Sequence, residues 1–127
     1  RKSGRLPMFE VSVSTSFLAQ HAVTISGVAE TPHSHDWKVL AVVSCDALDS
    51  DNLLIDFLQL ESDLENVIAP LSNTDLNANP VLKGNNPSTE FVAMYIATEL
   101  AKKVKSPAHL ESIALTEAPN CIATYRL

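Results

Sequence analysis

Long apolar runs are missing from this sequence. Nowhere does it hold the roughly 18 uninterrupted hydrophobic residues that a membrane-spanning helix needs. The segment before Met8 is basic but has no apolar core, so it does not read as a signal peptide. We expect residues 1–7 to be a disordered leader or cloning remnant, with Met8 the natural start. Residues 8–127 would then form a single cytoplasmic domain. Basic residues are few and scattered, 9 against 15 acidic, giving a formal charge of −6. That distribution argues against a nucleic-acid surface, which needs clustered Lys and Arg. It also requires any anionic substrate to be held locally, against an unfavourable overall field. Cysteine is scarce: Cys45 and Cys121 form no CxxC pair and sit in strand-like stretches, so both read as reduced, buried thiols. No internal repeat or low-complexity tract is present.

What the chain does have is enough apolar residue, 46% hydrophobic against 19% charged, to build a core. From Phe9 to His21 the odd positions read Phe9, Val11, Val13, Thr15, Phe17, Ala19 and His21, a period of two that predicts a half-buried strand. A second strand is predicted from His33 to about Cys45, with His33, His35, Trp37, Val39, Ala41, Val43 and Cys45 on one face. The linker around Ser26-Gly27 is too long for a tight hairpin. The period then turns helical: Phe57, Leu60, Leu64, Val67, Ile68 and Leu71, with Asp56 placed as N-cap and Pro70 at the end. Residues 72–87 are rich in Asn, Asp and Pro and read as loop. A second helix starts near Ser88 or Thr89, with Ala93, Ile96, Ala97, Leu100, Ala101 and Val104 as its stripe and Lys102, Lys103 and Lys105 suiting its end. Two short strands follow, near 110–117 and 120–125, turning at Ala118-Pro119. The order ββααββ predicts an α+β domain, a four-stranded antiparallel sheet with both helices on one face. So small a sheet leaves edges and a face to cover, so assembly into a ring is expected.

Three of the four histidines fall in the first 35 residues, two of them as His33-Ser34-His35. On a strand, residues i and i+2 point the same way, about 6.6 Å apart, close enough to share one metal. An isolated HxH pair more often binds nothing. His21, ending the neighbouring strand on its own apolar parity, offers a third nitrogen. Three histidines without a fourth protein ligand is the pattern of a catalytic Zn2+ site with an open position. His109 has no partner in sequence and reads as a surface residue.

Around these residues the chain resembles the 6-pyruvoyltetrahydropterin synthase family, which includes the bacterial 6-carboxytetrahydropterin synthases. The matching pieces are Phe17-Leu18-Ala19-Gln20-His21, His33-Ser34-His35-Asp36-Trp37 and Leu54-Ile55-Asp56-Phe57. They continue with Ser88-Thr89-Glu90-Phe91-Val92-Ala93 and Thr116-Glu117-Ala118-Pro119-Asn120, with Tyr125 beyond. The resemblance implies a tunnelling fold whose subunits form barrels, commonly two stacked trimers, hence a homohexamer. It implies zinc on His21, His33 and His35 and a pterin substrate anchored by Glu117, with Thr89 and Glu90 also on the substrate side. A solvated strand-end residue is the other reading of Glu117; its parity with Ile113 and Leu115 speaks against it.

Departures from the family pattern bear on the reaction. No cysteine stands between His21 and His33; Glu30 does, in Glu30-Thr31-Pro32-His33-Ser34-His35. That ExxHxH spacing resembles a subgroup associated with trimming the side chain of dihydroneopterin triphosphate to 6-hydroxymethyl-dihydropterin. There a desolvated Glu30 would act as general base; a plain loop residue before Pro32 is the other reading. The family's Asp-His pair is replaced by Ser72 and Asn73, which perform no acid–base work near neutral pH. Asp75 could substitute only if the loop places it differently. Ser34, Asp36 and Trp37 are milder replacements of Gly, Asn and Tyr. Two functions follow: a zinc-dependent carbon–oxygen or carbon–carbon lyase acting on a pterin, or a catalytically impaired zinc-containing pterin- or purine-binding protein. A different small substrate on the same fold is a third possibility.

Overall fold

A computed structural model of the protein describes residues 5–127, so part of the expected leader, residues 1–4, lies outside the described residues. Two long strands form the centre, β1 (Phe9–His21) and β4 (His33–Cys45), at the bounds that the alternation predicts. They pair antiparallel along their whole length, Phe9 opposite Cys45 and His21 opposite His33. One parity of each strand is buried: Val13, Phe17, Ala19 and His21 on β1, and Trp37, Val39, Ala41 and Val43 on β4. The linker between them carries a two-residue-per-strand hairpin, β2 (Thr24–Ile25) and β3 (Val28–Ala29). Its turn residues Ser26 and Gly27 both take positive φ, 52° and 80°, as the tightest hairpin turns require.

Helix α1 (Phe57–Ile68) starts where Asp56 caps it, the carboxylate accepting from the Leu58 N–H, and Ala69 and Pro70 end it. Its buried stripe is Leu60, Leu64, Val67 and Ile68; Leu71 is buried in the turn beyond. Phe57, expected in that stripe, is the first residue of α1 and is 52% exposed. Helix α2 (Thr89–Ala101) is capped by Ser88, which accepts from the Phe91 N–H, and buries Val92, Ala93, Ile96, Ala97 and Leu100. Strands β6 (His109–Ala118) and β7 (Cys121–Arg126) complete the sheet. Helix α1 packs on β1, and α2 packs on β6 and β7, closing one core on one sheet face.

The sheet has five strands rather than the expected four. The extra one, β5 (Thr74–Asp75), lies parallel to β1, with Thr74 beside Ala19 and Asp75 beside Gln20, giving the order β5-β1-β4-β6-β7. Two residues in an Asn- and Asp-rich segment carry no alternation, so the sequence pattern could not show them. A one-turn 3-10 helix, Pro80–Leu82, follows. Cys45 is buried as expected, but Cys121 is exposed, because β7 is an edge strand with little cover.

Candidate metal centre

His21 and His33 face each other across the end of the β1–β4 pair, and His35 lies opposite Ala19, one step diagonal from His21. Their rings meet edge to face, centroids 4.6 Å apart for His21–His33, 4.5 Å for His33–His35 and 5.7 Å for His21–His35. Trp37, fully buried, forms the floor, 4.7 Å from the His21 ring and 5.8 Å from the His35 ring. Its indole N–H donates to the Ala19 carbonyl, which fixes that floor to β1. The sequence placed Trp37 on the face of His33 and His35 and marked it as a replacement for Tyr.

The hydrogen bonds of these rings settle which nitrogen is free. His21 Nδ1 lies 2.8 Å from the Pro87 carbonyl oxygen, and His33 Nδ1 lies 3.0 Å from that of Thr31. A carbonyl only accepts, so each Nδ1 carries the proton and each Nε2 of the neutral ring presents its lone pair. That is the tautomer a metal ligand needs, held by backbone carbonyls as second partners commonly hold it. Nothing in the sequence pattern pointed to Pro87 or Thr31. His21 Nε2 and His35 Nε2 are buried with no hydrogen-bond partner. Unpaired buried nitrogens are costly, so a cation between them would satisfy what the protein leaves open.

Glu117 joins the group. One ligand atom from each of His21, His33, His35 and Glu117 lies within 4.8 Å of the others. Tetrahedral zinc needs such atoms about 3.4 Å apart, so a small inward movement would seat it. Glu117 Oε1 is 3.2 Å from His21 Nε2, and its Oε2 is 3.5 Å from His35 Nε2. Its aim comes from a bulge: Thr116 pairs with Ile122 and Ala118 with Cys121, leaving Glu117 as the extra residue. Such bulges re-aim a side chain. Thr89, the first residue of α2, donates its hydroxyl to Glu117 Oε1 at 2.6 Å. Thr89, Glu90 and Glu117 line one cavity of about 220 Å³ with Cys121, Ile122 and Ala123. Burial holds the His35 imidazole below the usual histidine range. Among its charged neighbours, Glu117 and Glu30 oppose that shift while His33 and His21 add to it.

Glu30 is at the rim, its Oε1 3.7 Å from His33 Nε2. The same oxygen accepts from the Val23 N–H at 2.9 Å, and the Glu30 N–H donates to the Val23 carbonyl at 3.0 Å. Its side chain is 38% exposed. Flanking residues are clamped likewise. Asn77 both donates to and accepts from the Ala22 backbone at 2.8 Å, and Asn86 does so with Thr24 at 2.9 Å. Three side chains therefore hold residues 22–24 where β1 leaves the sheet. Asp75 is not brought to the histidines. It lines a separate cavity with Leu18, Gln20 and Ser34, on the face that Ser34 presents and the histidines do not. His109 lies at the far end of β6, half-exposed, beside Ser44 and Glu111.

The profile of the family described as 6-pyruvoyl tetrahydropterin synthase matches residues 10–127. A Pyrococcus furiosus protein named dihydroneopterin monophosphate aldolase is 29% identical over 102 residues, covering 80% of this chain and 83% of its own. The Caenorhabditis elegans 6-pyruvoyl tetrahydropterin synthase superimposes with a TM-score of 0.83 at 18% identity, covering 97% of this chain and 98% of its own. A Plasmodium vivax 6-pyruvoyltetrahydropterin synthase, solved with a catalytic glutamate changed to alanine, superimposes with a TM-score of 0.77 at 18% identity. It covers 94% of this chain and 97% of its own. No helix among the described residues is long and apolar enough to cross a membrane.

Proposed function

From the premise that this chain belongs to the 6-pyruvoyl tetrahydropterin synthase family, we propose that it is a zinc-dependent lyase cleaving the side chain of a phosphorylated dihydroneopterin. The observation that carries the reading is the convergence of His21, His33 and His35 beside Glu117, two of them with buried Nε2 atoms that make no hydrogen bond. The Pyrococcus furiosus relative bears the name of an aldolase acting on dihydroneopterin monophosphate, which favours carbon–carbon cleavage. A glutamate is the catalytic residue of the Plasmodium vivax synthase, which favours a carboxylate in that role here.

His21, His33 and His35 would hold zinc, and Glu117 would hold the ring by accepting from its amino group and the adjacent N–H. Thr89 fixes the Glu117 carboxylate for that contact. Bound zinc supplies Lewis acidity that makes the side-chain hydroxyls more acidic. Glu30 takes the proton from the second side-chain hydroxyl as its oxygen forms a carbonyl. The bond between the first two side-chain carbons then breaks, and its electron pair moves into the ring's C=N. Protonation of the remaining carbon, with Glu30 returning the proton, leaves a 6-hydroxymethyl pterin and an aldehyde. A homohexamer of stacked trimers fits the sheet face away from the helices, where Leu18 is 55%, Leu40 40% and Ile122 63% exposed.

One observation favours a second reading, a zinc-containing pterin-binding protein with little turnover. Ser72 and Asn73 offer no acid or base, and Asp75 faces another cavity. Incubating zinc-loaded protein with dihydroneopterin monophosphate and triphosphate, with products resolved by mass, separates the two. A 6-hydroxymethyl product that is lost in Glu30→Gln supports the lyase. Tight binding without product sinks it and leaves the binding protein.

A further inference from the structure

Three imidazoles converge at the end of the β1–β4 pair, but the fold does not hold them alike. His21 and His33 each give an Nδ1 proton to a backbone carbonyl. Among the described residues, neither ring nitrogen of His35 makes a hydrogen bond. We propose that Trp37 supplies the restraint that His35 lacks, its indole being the positioning residue that holds the His35 ring in the orientation zinc requires. This rests on the zinc-ligand reading above and is independent of which reaction the site performs.

Trp37 lies two residues along β4 from His35, on the same face of the strand. The two rings meet edge to face, centroids 5.8 Å apart and planes at 85°, within the range where aromatic rings attract. Such a contact restrains a ring only if the contacting group is itself fixed. Trp37 is fixed twice, both times from β1. Its N–H donates to the Ala19 carbonyl at 3.1 Å, and Ala19 is the residue directly opposite His35. Phe17, directly opposite Trp37, stacks on the indole with centroids 6.0 Å apart and planes 6° from parallel. The indole is also fully buried, so turning it would open a void in a close-packed core. The other neighbours of the His35 ring do not substitute for this support. His33, 4.5 Å away, is itself a ligand, and Glu117 approaches only Nε2, the nitrogen that must face the metal. Trp37 meets the His21 ring as well, at 4.7 Å, but His21 is already held by the Pro87 carbonyl and by complete burial. The His35 side chain is 22% exposed and has no carbonyl, so it depends on Trp37 most.

The test reads zinc affinity by competition with chelators of graded strength, and it needs no turnover. Trp37→Leu removes the ring and its N–H, while Trp37→Phe keeps a ring and loses only the bond to Ala19. Val43→Ala, buried at the far end of β4, controls for lost core packing away from the histidines. Trp37→Leu is expected to weaken zinc about tenfold, Trp37→Phe by less, and Val43→Ala not at all. The loss must run through His35. In a His35→Ala background Trp37→Leu should cost almost nothing further, whereas in a His33→Ala background the full loss should return. Cobalt in place of zinc gives a second readout, its ligand-field absorption shifting in Trp37→Leu and not in Val43→Ala. A loss of the same size in the His35→Ala background, or one matched by Val43→Ala, overturns the assignment and leaves Trp37 a core residue. If Trp37→Leu does not fold, Trp37→Phe in the same two backgrounds decides the question. Wild type that binds zinc with no coupling between Trp37 and His35 sinks this inference alone; wild type that binds no zinc overturns the ligand set and the role of Trp37 together.

Discussion

His21 stands directly opposite His33 across the β1–β4 pair, and each ring gives its Nδ1 proton to a backbone carbonyl, those of Pro87 and Thr31. Because both acceptors are main-chain atoms in loops outside β1 and β4, the ligand tautomer is imposed by the fold and not by other side chains. The metal site should therefore be preformed. Replacing any one of His21, His33 and His35 by Ala is expected to weaken zinc by about a hundredfold or more. Zinc content after dialysis against a graded chelator checks this. Full zinc retention in all three variants would rule out the assigned ligands.

Without metal, the same cluster makes stability depend on pH. Burial lowers the His35 pKa in the folded state from its ordinary 6.5. The unfolded chain then takes up the proton first as pH falls, so stability is complete above about 6.5 and is lost on descending through the folded pKa. Zinc-free protein should therefore unfold at lower temperature at about pH 5.5 than at about pH 7.5, and His35→Gln should flatten that difference. A slope that His35→Gln leaves unchanged would assign the effect to other groups.

The long strands were readable because Phe9–His21 and His33–Cys45 alternate cleanly, and a one-residue slip would expose a whole apolar face. Asp56 and Ser88 announced both helix starts for the same local reason, a side chain accepting from the first turn. The histidine cluster was legible as parity on paired strands. What was not legible depends on pairing between distant segments. Strand β5 takes its bonds from β1, and the Asn77 and Asn86 clamps look like ordinary loop residues until the chain is folded. The bulge that turns Glu117 toward the histidines exists only relative to β7.

Those clamps have a kinetic consequence. Asn77 on Ala22 and Asn86 on Thr24 bracket Val23, whose backbone holds Glu30. Each exposed pair of hydrogen bonds contributes about 1 kcal/mol, so Asn77→Ala and Asn86→Ala should each cost about that much stability. If Glu30 is the base, kcat should fall further than binding of substrate, because the carboxylate loses its fixed position. Denaturant unfolding with paired kcat and KM values checks both parts. A KM change alone would detach Glu30 from the chemical step.

Glu117 can act on a ligand's ring or on the metal, and its two oxygens make the distinction measurable. Oε1 already accepts the Thr89 hydroxyl at 2.6 Å, and both oxygens lie within 3.5 Å of an imidazole nitrogen. As a ring anchor, Glu117 must be ionised to accept from two donors, so Glu117→Gln should keep zinc and lose pterin affinity by about tenfold or more. As a fourth ligand it would close the coordination sphere, and Glu117→Gln would lower zinc affinity while opening a site for solvent. Thr89→Val serves as the companion. It removes only the hydroxyl that orients the carboxylate, so a ring anchor predicts a smaller loss of pterin affinity with zinc unchanged. Zinc titration and pterin binding measured on both variants decide between the roles, and a fall in zinc affinity in Glu117→Gln would give Glu117 to the metal.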